Sequence, residues 1–118
     1  MVEMSKAVGP WREAVRAETQ RATADTGPFA GPVRVAITFA LKRPKGHYRT
    51  GRNDHMLSDR APRWPGSTPD LDKLCRAVLD GLTEGGAWKD DGQVVILAAQ
   101  KTYAGAAGPG AVIEIGEL

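Results

Sequence analysis

From Leu71 to Leu82 the apolar residues Leu71, Leu74, Cys75, Val78, Leu79 and Leu82 recur at i, i+3, i+4, i+7, i+8 and i+11. That spacing is one face of an α-helix and no face of a strand. It predicts a helix over 69–84, with Thr68 as N-cap ahead of Pro69 and Gly85-Gly86 as the left-handed exit. A helix with an unbroken apolar stripe must bury it, so the rest of the chain has to supply the surface that covers it.

Three other segments offer that cover. Val33, Val35, Ile37, Phe39 and Leu41 alternate with Arg34, Ala36, Thr38 and Ala40, the pattern of a half-buried strand. A first helix is predicted from Pro10 to Ala24, with Val8, Trp11, Val15 and Ala22 near one face and Arg12, Glu13, Arg16 and Glu18 outward. Two further strands, Val94 to Tyr103 and Ala111 to Ile115, flank a Gly-rich turn and are expected to pair as an antiparallel hairpin. The fold class is therefore α+β: a small mixed or antiparallel sheet packed with two helices, one domain over 1–118. Between Arg43 and Pro69 no period is visible, and so long a connection in a small domain is functional or disordered.

Several classes drop out. No stretch approaches the roughly 20 apolar residues of a membrane span, and Met1 to Lys6 lack the pattern of a signal peptide. The single Cys75 leaves no internal disulfide and no Cys-based zinc site within one chain; lying on the apolar stripe, it reads as a buried, inert thiol. A cytoplasmic protein without a membrane partner is expected. There is no Gly-rich phosphate loop, Ser-His-Asp order or metalloprotease motif.

The net charge of +2 hides an uneven distribution. Lys42, Arg43, Lys45, Arg49, Arg52, Arg60 and Arg63 stand against only Asp54 and Asp59, a surplus of five positive charges within one segment. The remainder of the chain is net acidic. A basic segment beside an acidic body suits a polyanion partner and a separate carboxylate site, although a solvated loop would also carry such arginines. His47 and His55 lie in the same segment without a third ligand and read as DNA-contacting or solvent residues. Trp11 reads as core, and Trp64 and Trp88 as loop aromatics that pack or stack.

The acidic residues are grouped. Asp70 and Asp72 open the 69–84 helix, and Asp90-Asp91 enter the following strand. For the pairs to meet, that strand must run back alongside the start of the helix. If they do meet, so many like charges need a cation, and an all-oxygen set suits Mg²⁺ or Mn²⁺. Such a site hydrolyses phosphodiesters, with Arg76 or Lys73 nearby to offset phosphate charge. Each part also has a plainer reading: helix-dipole charges at Asp70 and Asp72, turn chemistry at Asp-Asp-Gly, and a surface ladder through Asp72, Arg76 and Asp80.

The stretch from Pro69-Asp70-Leu71-Asp72-Lys73-Leu74 through Leu79-Asp80-Gly81-Leu82, followed by Asp90-Asp91-Gly92-Gln93-Val94-Val95 and Lys101-Thr102-Tyr103, resembles the RusA family of Holliday-junction resolvases. His47-Tyr48-Arg49-Thr50-Gly51-Arg52-Asn53 looks like the arginine-rich insertion of its phage-borne members.

The resemblance implies a small homodimeric, Mg²⁺-dependent endodeoxyribonuclease that resolves four-way DNA junctions by paired symmetric nicks. It implies that Asp70, Asp72 and Asp91 bind the metal, with Asp90 supporting. It also implies a functional basic residue one helical turn past the opening motif, where Arg76 stands in place of the usual Lys and Lys73 is adjacent. Lys42, Arg43, Lys45, His47, Arg49, Arg52, Arg60 and Arg63 are the expected DNA contacts of a basic loop over 42–69. The alternatives are a nuclease for flaps or forks and a non-catalytic junction-binding protein. Members of the family open with a strand and a Pro/Arg-rich turn, whereas here only Met1 to Gly9 precede the first helix; a missing edge strand, or a start lying upstream, is expected.

Overall fold

The computed structural model describes residues 8–118, so the expectation of a missing edge strand concerns positions outside the described residues. The elements are α1 (Val8–Thr23), β1 (Val33–Leu41), α2 (Leu71–Glu84), β2 (Val94–Tyr103) and β3 (Gly110–Glu117), with short 3-10 turns at Lys45–His47, Gly51–Asn53 and Asp91–Gln93. This is the expected α+β arrangement of two helices and a mixed sheet.

The expected β2–β3 hairpin does not form. The strand order is β2-β1-β3, with β1 parallel to β2 and antiparallel to β3. The reason lies in β1, whose residues Val33, Val35, Ile37 and Phe39 are all buried against the helices. A strand so thoroughly covered is best placed in the middle, with both ladders satisfied. The crossover through α2 brings β2 beside it in parallel. The six residues 104–109 then carry the chain past the end of β1 to its other edge, a step of about 10 Å between strands two positions apart.

The apolar stripe of α2 behaves as read: Leu74, Cys75, Val78 and Leu82 are buried with Trp11 and Val15 of α1 and with Trp88. Two details differ. The first helical hydrogen bond runs from the Leu74 N–H to the Asp70 carbonyl, so Asp70 and not Thr68 occupies the N-cap position, and Pro69 lies ahead of the helix. On α1, Ala22 is exposed and Thr19 is buried in its stead, its hydroxyl donating to the Val15 carbonyl at 2.7 Å. The Val8 side chain, expected on the same face, lies outside the described residues. At the other end of α2, Gly86 adopts φ +89 and the Ala87 N–H donates back to the Leu82 carbonyl, the left-handed exit expected there. Among the described residues no helix is long and apolar enough to cross a membrane.

The two helices approach closely because α2 carries glycine where they cross. A Cβ on Gly81 would lie 2.8 Å from the Arg12 carbonyl oxygen and 2.9 Å from Val15 Cβ. Alanine in mid-helix gains about 1 kcal/mol in propensity, but overlap with fixed backbone costs about 1–3 kcal/mol. Gly81→Ala is therefore expected to lower stability by up to about 2 kcal/mol, read as a lower urea midpoint at unchanged slope. A variant more stable than its parent would mean that the helices are free to separate here.

Candidate functional site

Helix α2 presents Leu71, Asp72, Cys75, Arg76, Leu79 and Asp80 along one side of an open cleft of about 630 Å³; Leu97 and Ala99 of β2 and Asp91 complete its lining. Asp72, Arg76 and Asp80 are spaced four apart and so share one helical face. Among the described residues no ion pair joins them, so they are not a surface ladder. Asp70 stands at the N-cap position without capping the helix; its carboxylate lies 3.5 Å from the Lys73 ammonium. Of the two candidate cations, Arg76 lines the cleft and Lys73 is occupied by Asp70.

The parallel crossover sets the two acidic pairs apart. β2 starts where α2 ends and runs back along it, so Asp91 stands beside Asp80, close enough to feel its charge. Asp80 is eight residues from Asp72, about 12 Å along the helix axis. Lys101, near the far end of β2, reaches the start of α2 instead: its ammonium donates to the carbonyls of Ser67 at 2.7 Å and Pro69 at 3.0 Å. Asp70 and Asp72 thus occupy one end of the cleft region, and Asp80 and Asp91 the other.

The turn ahead of β2 is built around Gln93. Its side-chain oxygen accepts from the Lys89 and Asp90 N–H groups, and its amide donates to the Phe29 and Gly31 carbonyls, both at 3.0 Å. The Asp90 carboxylate accepts from the Gly92 N–H and completes a capping box with Gln93. That bond, and a second one to the Asp91 carboxyl, hold Asp90 below the usual carboxylate range. Asp91 is pushed above it, first by its hydrogen bond to Asp90, then by partial desolvation and by the negative charges of Asp90 and Asp80. Asp90 therefore shapes the turn, and Asp91 is the carboxyl whose ionisation its neighbours oppose.

Among the described residues no three His, Cys, Asp or Glu side chains come together as a ready cation cage. Asp70, Asp72, Asp90 and Asp91, expected to meet, form no such group in this chain, although Asp72 and Asp91 line the same cleft. Mg²⁺, however, takes one or two carboxylates and keeps several waters, so the donor set at the Asp70–Asp72 end fits such an ion.

The basic segment is ordered by its own backbone rather than being structureless. Tyr48 bridges to Leu57, the Arg49 N–H donates to Met56, and the Ser58 N–H donates to His47. Two of the eight expected DNA contacts serve to clasp it. The Arg43 guanidinium lies 4.1 Å over the Tyr103 ring and donates to the Pro62 carbonyl at 2.8 Å, while the His47 ring packs edge-on against Tyr103. Lys42, Lys45, Arg49, Arg52, Arg60 and Arg63 are exposed; of these, Arg49 pairs with Asp59 at 3.2 Å.

Sequence reasoning gave no site role to Asp80, Gln93 or Lys101. The signal for Gln93 was present as Asp90-x-x-Gln93, a capping box. Lys101 pairs with Phe39 across the ladder and so springs from the helix-facing side of the sheet, where an ammonium requires acceptors; that signal needs the register.

A sequence model of the endodeoxyribonuclease RusA family matches residues 1–116 of the chain. No curated protein matches it.

Because the Gln93 side chain joins the acidic turn to the entry of β1 by two hydrogen bonds and closes the turn by two more, Gln93→Ala is expected to cost about 2 kcal/mol, the loss of several bonds worth roughly 0.5–1.5 kcal/mol each. Chemical denaturation measures it; a change below about 0.5 kcal/mol would mean that water replaces the amide without loss.

Proposed function

The chain belongs to the RusA family of endodeoxyribonucleases, and from that premise we propose that it nicks four-way DNA junctions on two symmetric strands as a Mg²⁺-dependent homodimer. Mn²⁺ is the natural substitute ion. The observation that carries this reading is the cleft along α2, with an acidic pair at each end and Arg76 between them.

In this reading Asp72 and Asp70 would hold the ion, which would supply a more acidic water and a positive charge against the leaving 3′ oxygen. Arg76 projects into the same cleft, and its fixed guanidinium offsets phosphate charge as the bond breaks. The six exposed cations of the basic arm hold phosphates on either side, which makes binding fall steeply with salt.

Two-fold symmetry completes the site. A junction has two equivalent strands, and a two-fold dimer offers two equivalent clefts. Since Asp91 is two helical turns from Asp72 within a protomer, the dimer assembles the acidic set by setting the Asp72 end of one protomer against the Asp91 end of its partner.

Cleavage of a labelled four-way junction in Mg²⁺ tests this, beside linear duplex, flap and fork. Wild type is expected to make paired symmetric nicks in the junction alone, and Asp72→Asn and Asp91→Asn to lose at least about 100-fold. Mixing the two dead variants is then expected to restore about a quarter of the nicking, from heterodimers with one intact site, and only on one strand. No recovery on mixing would place each site within a single protomer; preferred cutting of flaps or forks would replace the junction reading.

The basic residue is tested separately. Arg76→Ala is expected to lower the cleavage rate by about 10²–10³-fold with little change in junction affinity, and Lys73→Ala to change the rate by less than about 5-fold, as an exposed partner of Asp70. The reverse order would transfer the role to Lys73.

A further inference from the structure

Trp64 is the one tryptophan of the three that the core does not take up. Trp11 and Trp88 are buried at 1% and 2% exposure, and the Trp88 indole N–H donates to the Thr83 hydroxyl, whereas Trp64 is 54% exposed. An exposed tryptophan on a mobile loop would be unremarkable. Trp64 is instead held on a pinned turn. Two residues before it, the Pro62 carbonyl accepts from Arg43, itself stacked on Tyr103. The following Pro65 is buried, and the Gly66 N–H donates to the Trp64 carbonyl at 2.9 Å. Beyond that, Lys101 fixes Ser67 and Pro69 to β2. The side chain is therefore presented outward by a rigid support on both flanks.

Its surroundings are those of a nucleic-acid platform. The Arg63 guanidinium lies 5.4 Å from the ring centroid, and Arg60 and Arg63 are both exposed. Asp70 follows six residues later, so the Cα atoms of Trp64 and Asp70 lie within about 20 Å of each other. In continuous duplex every base is already stacked, and a side chain must displace a neighbour to stack on one. At the branch of a junction the terminal pairs lack one neighbour and present an open face.

We propose that Trp64 stacks on a nucleobase exposed at the branch point, and so discriminates branched DNA from linear duplex while the basic arm holds phosphates of either. This rests on the junction reading given above. The ring supplies the π-face, and Arg63 holds it flat and neutralises the adjoining phosphate.

Trp64 is the only tryptophan of the three that iodide should reach, so the intact chain reports on it directly. In EDTA, where no strand is cut, a synthetic four-way junction is expected to quench the iodide-accessible emission, and linear duplex to leave it unchanged. Trp64→Leu is expected to bind the junction about 5- to 100-fold more weakly, the range of one lost base stack, with duplex affinity unchanged. Trp64→Phe, which keeps a ring, should stay within about 3-fold of wild type. Circular-dichroism melting of both variants guards against a folding defect. Junction binding with no change in Trp64 emission, or equal quenching by duplex, overturns the stacking role and leaves the junction reading standing. A wild-type protein that binds junction no better than duplex overturns both.

Discussion

Everything in this molecule hangs on β1 being paired along both edges and buried along one face. Val33, Val35, Ile37 and Phe39 cannot be covered by one helix, so α1 and α2 pack side by side over them. The central position follows, because a strand so enclosed has no water to satisfy its backbone and must find a neighbour on each side. Once β2 lies parallel to β1, the chain between them has to travel the full length of the sheet backwards, and α2 is that return. A helix that runs against two parallel strands necessarily has its first turn at their far end and its last turn at their start. The separation of Asp72 from Asp91 is thus a consequence of sheet topology. Under the proposed chemistry, which would use both, that separation would make association with a second copy part of the site rather than an addition to it.

Each end of the cleft is secured by one polar side chain reaching for backbone carbonyls. Gln93 ties the Asp90-Asp91 turn to residues 29 and 31 at the entry to β1, and Lys101 ties residues 67 and 69 to the exit of β2. These segments are irregular, so their carbonyls have no ladder or helix to receive them, and a side-chain donor stabilises them where water is partly excluded. Packing alone would place α2 over the sheet but would leave the acidic turns free to swing. The tethers convert a helix position into a carboxylate position.

Periodicity made α2 and β1 legible almost residue by residue, because each carries a one-dimensional pattern with one burial solution. Pairing is not one-dimensional. β2 and β3 are neighbours in the chain, and a hairpin is the default for neighbours, but nothing in Val94–Tyr103 states that its partner is β1. The acidic residues were legible as types, since carboxylates at a helix start and at a turn stand out in a chain this short. Whether they meet depends on strand direction, which the chain does not spell. Arg43 and His47 show the same limit from the other side. They count toward the positive segment like any other residue, and only the folded position of Tyr103, 60 residues after Arg43, turns them into a clasp. Charge counted along a chain measures supply and says nothing of which charges are already engaged.

That clasp bears on how the arm works. A disordered basic loop would have to lose its conformational freedom at the moment of binding, at about 1–2 kcal/mol per residue fixed. Here the cost is met within the protein: two 3-10 turns, the Tyr48–Leu57 bridge and the stacking on Tyr103 order the segment beforehand. An ordered segment holds its exposed cations at fixed distances from the cleft, so in the proposed function phosphates caught by the arm would determine which phosphodiester lies over Asp72. Linear duplex can satisfy such cations at many registers, whereas a branch has one centre. On the proposed junction reading, selection for shape would then require little direct reading of bases, only an ordered arm, a fixed cleft and, in the proposed dimer, a two-fold axis that relates them.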